Sequence, residues 1–441
     1  MKRKNVISLL FATVMAAALL AGCGAKQKTG GEDEIAGKKD GQSNSTETIN
    51  VMFQTSWMNA GTQAAFDRVA EKMNVKFEFE EVPDGDAGQQ LILAKMSSGE
   101  VPDILWWQSA SMTDSLIGSD KFDDLSGEWQ QYYDKDTIAS RAYTANGKLM
   151  VVPFGDAVVF GMCYNKQVFL DNGVEIPATW EELLSACEVF QKKGITPVYL
   201  SGKDSWTLQI IPLDSFSKEN KRTGTLIDDI EAHKLLWKDV DSARISLERM
   251  MDLVNLGYVQ ETYLSDTYAD AQNALLDHTA AMYPQASWIA PELAKLTDDQ
   301  AALENLGMFI IPNDDANTVA AYQPPTGMML PSNGKKKELA KQVIFELTGP
   351  DAATAMYEAQ PGIPFLAGID GHAIGIQKDA SAIINTGKVS PLLGLVYDYS
   401  NDLPTLIQDM FIGNKDAQGV LVTIDDVFAA QAIDAKDPNW N

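Results

Sequence analysis

Short strand patterns alternate with helix patterns along most of this 441-residue chain, and that order restricts its fold more than any other feature. The strand patterns are short apolar runs, whereas the helix patterns place apolar residues three and four positions apart. Predicted strands cover 49–53, 75–82, 102–107, 158–164, 195–200, 280–283 and 306–311. Predicted helices cover 60–73, 89–98, 245–256, 271–276 and 336–347, and the chain after about Gly368 is predicted to be helical. This alternation favours an α/β fold with mostly parallel sheets, whose ligand sites lie at the carboxyl ends of the strands.

A further helix begins at a capping box, in which Thr179 is followed three residues later by Glu182. Gly194 ends this helix, and its buried stripe is expected to contain Trp180, Leu183, Leu184, Cys187 and Phe190. Cys187 is therefore predicted to be a small core residue, and Cys163 lies within the predicted strand 158–164. A disulfide between these two cysteines stays open as the alternative.

The first 23 residues have the features of an export signal. Three basic residues follow Met1, and the apolar run at 6–21 is short for a membrane span with those flanks. The run ends in Leu-Ala-Gly-Cys at 20–23, which resembles the lipobox of bacterial lipoproteins. The resemblance implies a signal peptide at 1–22 and acylation of the Cys23 sulfur, which would anchor the chain on the extracellular face of a bacterial cell membrane. An ordinary signal peptide with a chance cysteine is the alternative.

The segment after Cys23 is almost entirely polar. Residues 24–48 consist mainly of Gly, Lys, Gln, Ser, Asn, Thr, Asp and Glu, so they cannot bury enough surface to fold. We expect 23–48 to be the lipidated cysteine and a flexible spacer that holds a folded part off the membrane. The remaining chain of about 390 residues favours two or more domains.

Charge and cysteine content exclude several classes of partner. The formal net charge of −26 makes nucleic acid and bare anionic lipid poor partners and disfavours anionic substrates. Beyond Cys23 the only cysteines are Cys163 and Cys187, so the chain has neither a disulfide framework nor a metal quartet. We expect no metal and no cofactor.

The sequence contains none of the common catalytic motifs. A nucleophile elbow, a zinc-binding H-E-x-x-H, a Walker loop and a G-x-G-x-x-G are all missing, and the three histidines are not spaced as ligands. The 61 acidic residues leave room for a carboxylate pair in a cleft, as in a glycosidase. An enzyme is therefore kept as an alternative that nothing in the sequence specifically favours.

Tryptophans follow several predicted strands. They are Trp57, Trp106, Trp107, Trp206 and Trp288. Core packing accounts for any one of them about as well as ligand binding, but it accounts less well for all five at such positions. Aromatic rings at a cleft provide platforms for the flat C–H faces of sugar rings, whose hydroxyls need polar partners. Nearby candidates for those partners are Gln54, Asp156, Gln285 and Gln323.

Several short passages occur in a fixed order along the chain. They are 97–104, then Val152-Pro153-Phe154 leading to 164–166, then 177–183, 194–197, 279–283 before Ser287-Trp288, and 335–347 before 362–364. In this order, and from about residue 49 to the C-terminus, the chain resembles the family 1 extracellular solute-binding proteins of ABC sugar importers. The resemblance implies a two-lobed, type II periplasmic-binding-protein-like fold with hinge strands between the lobes. It places the crossings near 153–159, 309–313 and 361–365. The N-lobe would then comprise 49–156 plus 312–363, and the C-lobe 157–311 plus 364–441.

The resemblance also implies roles for individual residues. Trp107 and Trp288 match family positions that stack on sugar. Asp156 matches a position that binds sugar hydroxyls, and Trp206 matches a position that lines the pocket. The predicted site contains, in addition, Gln54, Trp57, Trp106, Tyr283, Gln285 and Tyr322. The sequence departs from the family pattern at two positions of the predicted site. Ala286 stands where the family often has glycine, two residues before the stacking Trp288. Ala110 stands three residues after Trp107, where the family often has a carboxylate.

The resulting hypothesis is a monomeric substrate-binding lipoprotein that is not an enzyme. It would capture a sugar or oligosaccharide by closing its lobes and deliver it to the permease subunits and associated ATPase of an ABC transporter. Two alternatives from other classes remain, a ligand-sensing lipoprotein that signals to a receptor and an exported glycan hydrolase.

Overall fold

The computed structural model describes residues 46–133, 135–315, 317–392, 402–434 and 436–440. The predicted signal peptide, the lipidation site at Cys23 and the spacer up to residue 45 lie outside the described residues. The first strand begins at Glu47, so the folded part starts slightly earlier than the expected spacer boundary at residue 48. The helices of the described residues include none that is both long and apolar enough to span a bilayer.

The strands are short, as the apolar runs predict. They are β1 (Glu47–Gln54), β2 (Val75–Val82), β3 (Ile104–Trp107), β4 (Thr144–Ala145), β5 (Lys148–Leu149), β6 (Val152–Pro153), β7 (Val158–Asn165), β8 (Thr196–Val198), β9 (Ala280–Ala286), β10 (Leu306–Phe309), β11 (Ala320–Gln323), β12 (Gly327–Met329) and β13 (Val389–Pro391).

The helices occupy the segments between the strands and most of the C-terminal part. They are α1 (Ala60–Met73), α2 (Gly85–Ser98), α3 (Ala110–Leu116), α4 (Lys135–Ala139), α5 (Lys166–Asn172), α6 (Trp180–Lys192), α7 (Ile210–Thr223), α8 (Leu226–Glu231), α9 (Asp241–Asn255), α10 (Tyr268–Leu276), α11 (Ile289–Ala294), α12 (Gln300–Glu304), α13 (Lys337–Leu347), α14 (Pro350–Ala359), α15 (Gly375–Asn385), α16 (Leu403–Phe411) and α17 (Ala417–Asp434).

Two separate sheets organise two lobes. The first sheet has the order β2-β1-β3-β12-β6, and the second has the order β13-β11-β7-β9-β8, with β10 also paired to β7. In the first sheet β1 runs parallel to β2 and β3, whereas β12 runs antiparallel to β3 and β6. In the second sheet β7 is antiparallel to β9, β10 and β11. The α/β class is confirmed, but the prediction of mostly parallel sheets is wrong, because strands that return from the other lobe enter each sheet antiparallel.

Each lobe has its own hydrophobic core. The first-lobe core is built on β1 and β3 and contains Phe66 of α1, Trp107 of β3 and Ile344 of α13. The second lobe has a large core on α6, α7, α9 and α17, which contains Cys187, and a smaller core around Cys163. Both thiols are buried and free, so the structure does not contain the disulfide that the sequence left open.

Local signals explain the elements that the sequence predicted best. Helix α1 matches its predicted bounds because Asn59 caps its start and Asn74, in the left-handed conformation, ends it. The Thr179–Glu182 capping box opens α6 as predicted. After Gly368 the described chain is largely helical, although the short strand β13 interrupts it.

The chain passes between the two sheets three times. It leaves the first sheet after β6 and enters the second at β7, returns between β11 and β12, and crosses again after α14. The second crossing lies at 324–326 and not at the expected 309–313, because β11 still pairs with β7 in the second sheet. The first and third crossings touch each other through an isolated antiparallel bridge between Asp156 and Pro364.

Candidate ligand-binding cleft

Aromatic rings of the second lobe form a continuous group at the carboxyl ends of β8 and β9. The Trp206 ring lies 5.1 Å from the Tyr268 ring and 6.2 Å from the Trp288 ring, measured between centroids. Phe160 of β7 supports Trp288 edge-on at 5.3 Å. Trp206 is 38% exposed, while Tyr268 and Trp288 are half-buried. Together these three rings present an aromatic wall that a ligand could contact, and we refer to Trp206, Tyr268 and Trp288 as the aromatic wall.

Buried polar side chains hold this wall from behind. The Tyr283 hydroxyl shares a hydrogen bond of 2.6 Å with the Ser201 hydroxyl and accepts one of 3.2 Å from Gln285 Nε2. Burial raises the pKa of Tyr283, so its hydroxyl stays protonated. The Tyr283 ring lies 6.4 Å from the Tyr268 ring of the wall. Tyr283 and Gln285 are both fully buried in this structure, and their predicted contact with ligand stays a prediction.

Two polar atoms next to the wall lack partners among the described residues. Trp288 Nε1 and Gln209 Oε1 are both buried, and neither has a hydrogen-bond partner within the described part of the chain. A buried polar group without a partner costs about 1–3 kcal/mol. The first is a donor and the second an acceptor, and both are shielded from solvent in this arrangement of the lobes.

The first lobe contributes a second aromatic group at the end of β1 and β3. Trp57 lies 5.4 Å from Trp106, which in turn packs against Phe53 at 5.6 Å and Phe154 at 5.0 Å. Trp106 is 3% exposed, and its Nε1 donates to Thr326 Oγ1 at 3.2 Å. The buried Trp106 ring therefore has a fixed position, and Trp57 packs against it. The half-buried Trp57 is the ring of this group with accessible surface.

Trp107 lies inside the first-lobe core. It is 0% exposed, and no ligand can reach its ring in this arrangement of the lobes. Gln54, the last residue of β1, is also nearly buried. Their predicted contacts with ligand stay predictions.

Asp156 lies in the first crossing and is bound to the third. Its Oδ1 accepts the Ile363 backbone N–H at 3.1 Å, and the Tyr357 hydroxyl contacts the same carboxyl group. Burial, as the largest cause, raises the pKa of Asp156 to about 6. The carboxyl group thus connects two hinge segments, whatever contact with ligand it also makes.

Tyr322 and Gln323 lie at the end of β11, beside the second crossing. Tyr322 pairs with Val159 and Gln323 with Val158, and both side chains are half-buried. Burial raises the pKa of the Tyr322 hydroxyl, which therefore stays neutral. Neither residue belongs to the two aromatic groups, so their contact with ligand stays a prediction.

A cavity of about 310 Å³ lies between the two lobes. On the first lobe it is lined by Met58, Asn59 and Ala60, which directly follow Trp57. On the second lobe it is lined by Ala290 and Pro291 of α11, the helix that begins just after Trp288. The chain segments that follow these two tryptophans therefore face each other across the gap between the lobes.

Sequence reasoning missed Tyr268, which completes the aromatic wall. The residue opens α10 behind a Thr267 capping box and follows no strand, so the strand-end pattern passes over it. Its backbone N–H donates to Asp204 Oδ2 at 2.7 Å, which holds it beside Trp206. The sequence predicted this helix only from residue 271, three residues after Tyr268, and nothing in the sequence indicated which loop its start would meet.

Neither a metal cluster nor an activated thiol is found among the described residues. Within the part of the chain that the structure covers, no group of His, Cys, Asp and Glu is arranged to hold a metal ion. Burial raises the pKa of the Cys187 thiol to about 12 and raises that of Cys163 as well, so neither is an activated nucleophile.

Two sheets, with a chain that crosses between them three times, define the class of two-lobed ligand-binding proteins. The comparisons agree with this class. A family model for bacterial extracellular solute-binding proteins matches residues 54–354, so the chain belongs to that family.

Relatives and solved structures cover nearly the whole chain. The multiple sugar-binding protein of Streptococcus mutans is 24% identical over 434 residues, which is 95% of this chain and 96% of the relative. The diacetylchitobiose binding protein NgcE of Streptomyces coelicolor is 24% identical over 204 residues, which cover 44% of this chain and 42% of the NgcE chain. The solute-binding protein RafE, solved with raffinose, superposes with a TM-score of 0.72 at 18% identity, covering 88% of this chain and all of RafE. At that identity the structural likeness supports the two-lobed fold alone.

Proposed function

We propose that this protein is the substrate-binding lipoprotein of a bacterial ABC importer and that it captures a neutral sugar or oligosaccharide between its lobes. The observation that carries the proposal is the aromatic wall of the second lobe, whose Trp288 directly precedes α11, a helix that lines the gap between the lobes. The names of the sugar-binding relatives support the same ligand class. They also favour a binding protein over the hydrolase alternative.

The mechanism follows from the contacts. A sugar ring stacks on the aromatic wall, and lobe closure removes it from water. Each aromatic contact adds about 1 kcal/mol beyond the burial of area, and each satisfied hydrogen bond adds a similar amount. Ligand shifts the balance between open and closed lobes only by its higher affinity for the closed form. The loaded, closed form then docks on permease subunits that an ATPase drives.

A thermal-shift screen tests the ligand class. The panel contains galactose, raffinose, stachyose and N,N′-diacetylchitobiose, with an amino acid mixture as the competing class. A ligand present at 100 times its dissociation constant adds about 2.7 kcal/mol of stability, which gives a clear rise in melting temperature. A response to amino acids and to no carbohydrate would overturn the proposal.

Calorimetry with the best sugar then tests the site. Trp206→Ala and Trp288→Ala are each expected to weaken binding about tenfold, since each removes one stacking face. Tyr132→Ala is the matched control, because Tyr132 is 39% exposed, much like Trp206, but lies in a first-lobe 3₁₀ helix outside both aromatic groups. If all three variants bind the sugar with wild-type affinity, the aromatic wall is not part of the binding site.

The anchor at Cys23 and delivery to a permease belong to the same proposal. The residue pattern at 20–23 supports the anchor, and membership of the extracellular solute-binding family supports export and transport. Incorporation of labelled palmitate into the wild-type chain and its loss in Cys23→Ser tests lipidation. Co-purification with a permease, as opposed to a sensor receptor, separates transport from signalling.

A further inference from the structure

The cavity between the lobes differs chemically from a sugar subsite. Its floor consists of aliphatic side chains that are themselves nearly fully buried, namely Leu293, Leu303, Leu306 and Ile376. None of the described lining residues is aromatic. A sugar ring placed here would lose hydroxyl hydrogen bonds to water and gain few in return, at about 1–3 kcal/mol for each unsatisfied group.

Three of the polar side chains that line the cavity already have hydrogen-bond partners. Lys295 Nζ donates to Glu292 Oε1 at 2.8 Å, and Gln377 Nε2 donates to the Pro361 carbonyl at 2.8 Å. Asn59 Oδ1 accepts the Thr62 backbone N–H at 3.0 Å as the cap of α1. A group that enters the cavity therefore meets aliphatic surface and no free ionic partner among these three side chains.

The size of the cavity admits a substantial apolar group. A cavity of about 150 Å³ with aliphatic and aromatic walls is large enough to bind benzene. The space here is about 310 Å³. An aryl ring or a short alkyl chain fits within it.

The position of the cavity connects it to the proposed sugar site. Its first-lobe wall directly follows Trp57, and the helix that forms its second-lobe wall directly follows Trp288. Because Ala290 lines the cavity only two residues after Trp288, a ligand that stacks on Trp288 has one end close to the cavity. We propose that the cavity is a binding site for the uncharged apolar aglycone of a glycoside whose sugar lies against the aromatic wall. This inference rests on the proposed sugar-binding function and adds a second, chemically distinct part to the ligand.

Occupancy of this site also affects lobe movement. Both lobes contribute walls, so the aglycone loses contacts whenever the lobes separate. The apolar group therefore binds the closed arrangement better than the open one and shifts the balance towards closure. The same sugar without an aglycone lacks that contribution.

Paired glycosides test the proposal by calorimetry. The probes are methyl and p-nitrophenyl β-D-galactopyranoside, with the corresponding glucosides and N-acetylglucosaminides as further pairs. We expect the p-nitrophenyl compound of at least one pair to bind about tenfold tighter or more than its methyl partner, because its ring is removed from water.

Two variants fill the cavity, Ala290→Phe from the second lobe and Ala60→Phe from the first. If one of them fails to fold, the other still tests the proposal. Each is expected to reduce the difference within the pair to about twofold or less. Ala430→Phe, on the exposed side of α17, is the matched control and should keep the full difference.

The outcomes separate the two proposals. Equal binding of the methyl and p-nitrophenyl partners in every pair overturns the aglycone site and leaves the sugar site standing. A persistent tenfold preference in both Ala290→Phe and Ala60→Phe also overturns it, since the aryl group would then bind elsewhere. If no glycoside of any pair binds although a sugar of the thermal-shift panel does, the aglycone site alone is overturned. If neither the panel sugars nor any glycoside binds, the sugar-binding function fails, and the aglycone site fails with it.

Discussion

Arg141 of the first lobe and Glu231 of the second lobe form an ion pair across the gap between the lobes. Arg141 Nη1 donates to both oxygens of the Glu231 carboxylate, at 2.6 Å and 2.7 Å, and Asp228 lies 3.8 Å from Arg141 Nη2. The Arg141 carbonyl accepts the N–H of Ser111 at the start of α3, which fixes it to the first lobe. Glu231 ends α8, whose Ile230 belongs to the second-lobe core. The pair can therefore form only when the lobes are close.

Removing this pair is expected to favour separation of the lobes. Arg141→Gln abolishes an ion pair that is partly exposed and therefore contributes about 0.2–1 kcal/mol, a shift of up to about fivefold in the balance between open and closed lobes. Small-angle X-ray scattering without ligand should show a larger radius of gyration for the variant. The difference should shrink at high salt, where screening weakens the pair in the wild type.

Arg244→Gln is the control for this prediction. Arg244 Nη1 bonds both oxygens of Glu248 at 2.6 Å and 2.7 Å, the same geometry, but within the single helix α9. Its loss should leave the radius unchanged. An unchanged radius in Arg141→Gln as well would mean that the pair does not affect lobe position.

Asp156 is expected to make stability depend on pH. Burial raises its pKa from 3.8 to about 6, so between these values the folded chain binds more protons at this group than the unfolded chain. Its contribution to the free energy of unfolding therefore falls as the pH rises from about 4 to 6. Urea unfolding midpoints at intervals from pH 4 to pH 7 measure this.

Asp156→Asn isolates the effect of that carboxyl group. The amide oxygen of asparagine can still accept the Ile363 N–H, but the side chain has no charge to bury. The variant should lose less stability than the wild type across the same interval. Parallel curves for the two proteins would assign the pH dependence to other groups.

A buried ion pair is expected to stabilise the second crossing. Asp214 Oδ1 accepts the Ala321 N–H at 2.7 Å, and Lys218 Nζ bonds both Asp214 Oδ2 and the Ile311 carbonyl at 2.5 Å. Asp214→Ala leaves the Lys218 charge buried without its partner, which should cost about 3–5 kcal/mol of stability. Thermal unfolding measures this loss.

Arg222→Ala, on the same helix, is the control. It removes an exposed ion pair with Glu219 and should cost about 1 kcal/mol of stability or less. A similar loss of stability in both variants would contradict the prediction.

The sequence predicted elements whose signals are local. The bounds of α1 and the start of α6 follow from Asn59 and Thr179, because a cap acts within three residues of itself. The strand β11 was missed, since four residues between hinge segments carry too little pattern to recognise. Its place in the second sheet depends on pairing with β7, about 160 residues earlier in the chain.

The candidate site was predictable only in part, for the same reason. Strand-end tryptophans are visible in the sequence, but the direction of each ring depends on neighbours distant in sequence. Trp106 and Trp107 are adjacent, yet both are buried, while Trp206 is exposed. The contact of Arg141 with Glu231 joins residues 90 positions apart and has no local signal.

The two strand-end tryptophans Trp57 and Trp107 are expected to respond differently to substitution. Trp57 is half-buried at the rim of the first-lobe aromatic group, so Trp57→Ala should weaken sugar binding about tenfold with little loss of stability. Trp107 is wholly buried, so Trp107→Ala should cost about 3–5 kcal/mol of stability. Calorimetry and urea unfolding on both variants measure the two effects separately.

Trp107→Phe provides the decisive control, because it keeps most of the apolar volume and preserves folding better than alanine does. If Trp107 acts only through the core, the phenylalanine variant should bind sugar with wild-type affinity once it is folded. A folded Trp107→Phe protein that binds about tenfold more weakly would show that the indole reaches the ligand when the lobes open. Trp107, and not Trp57, would then be the first-lobe platform.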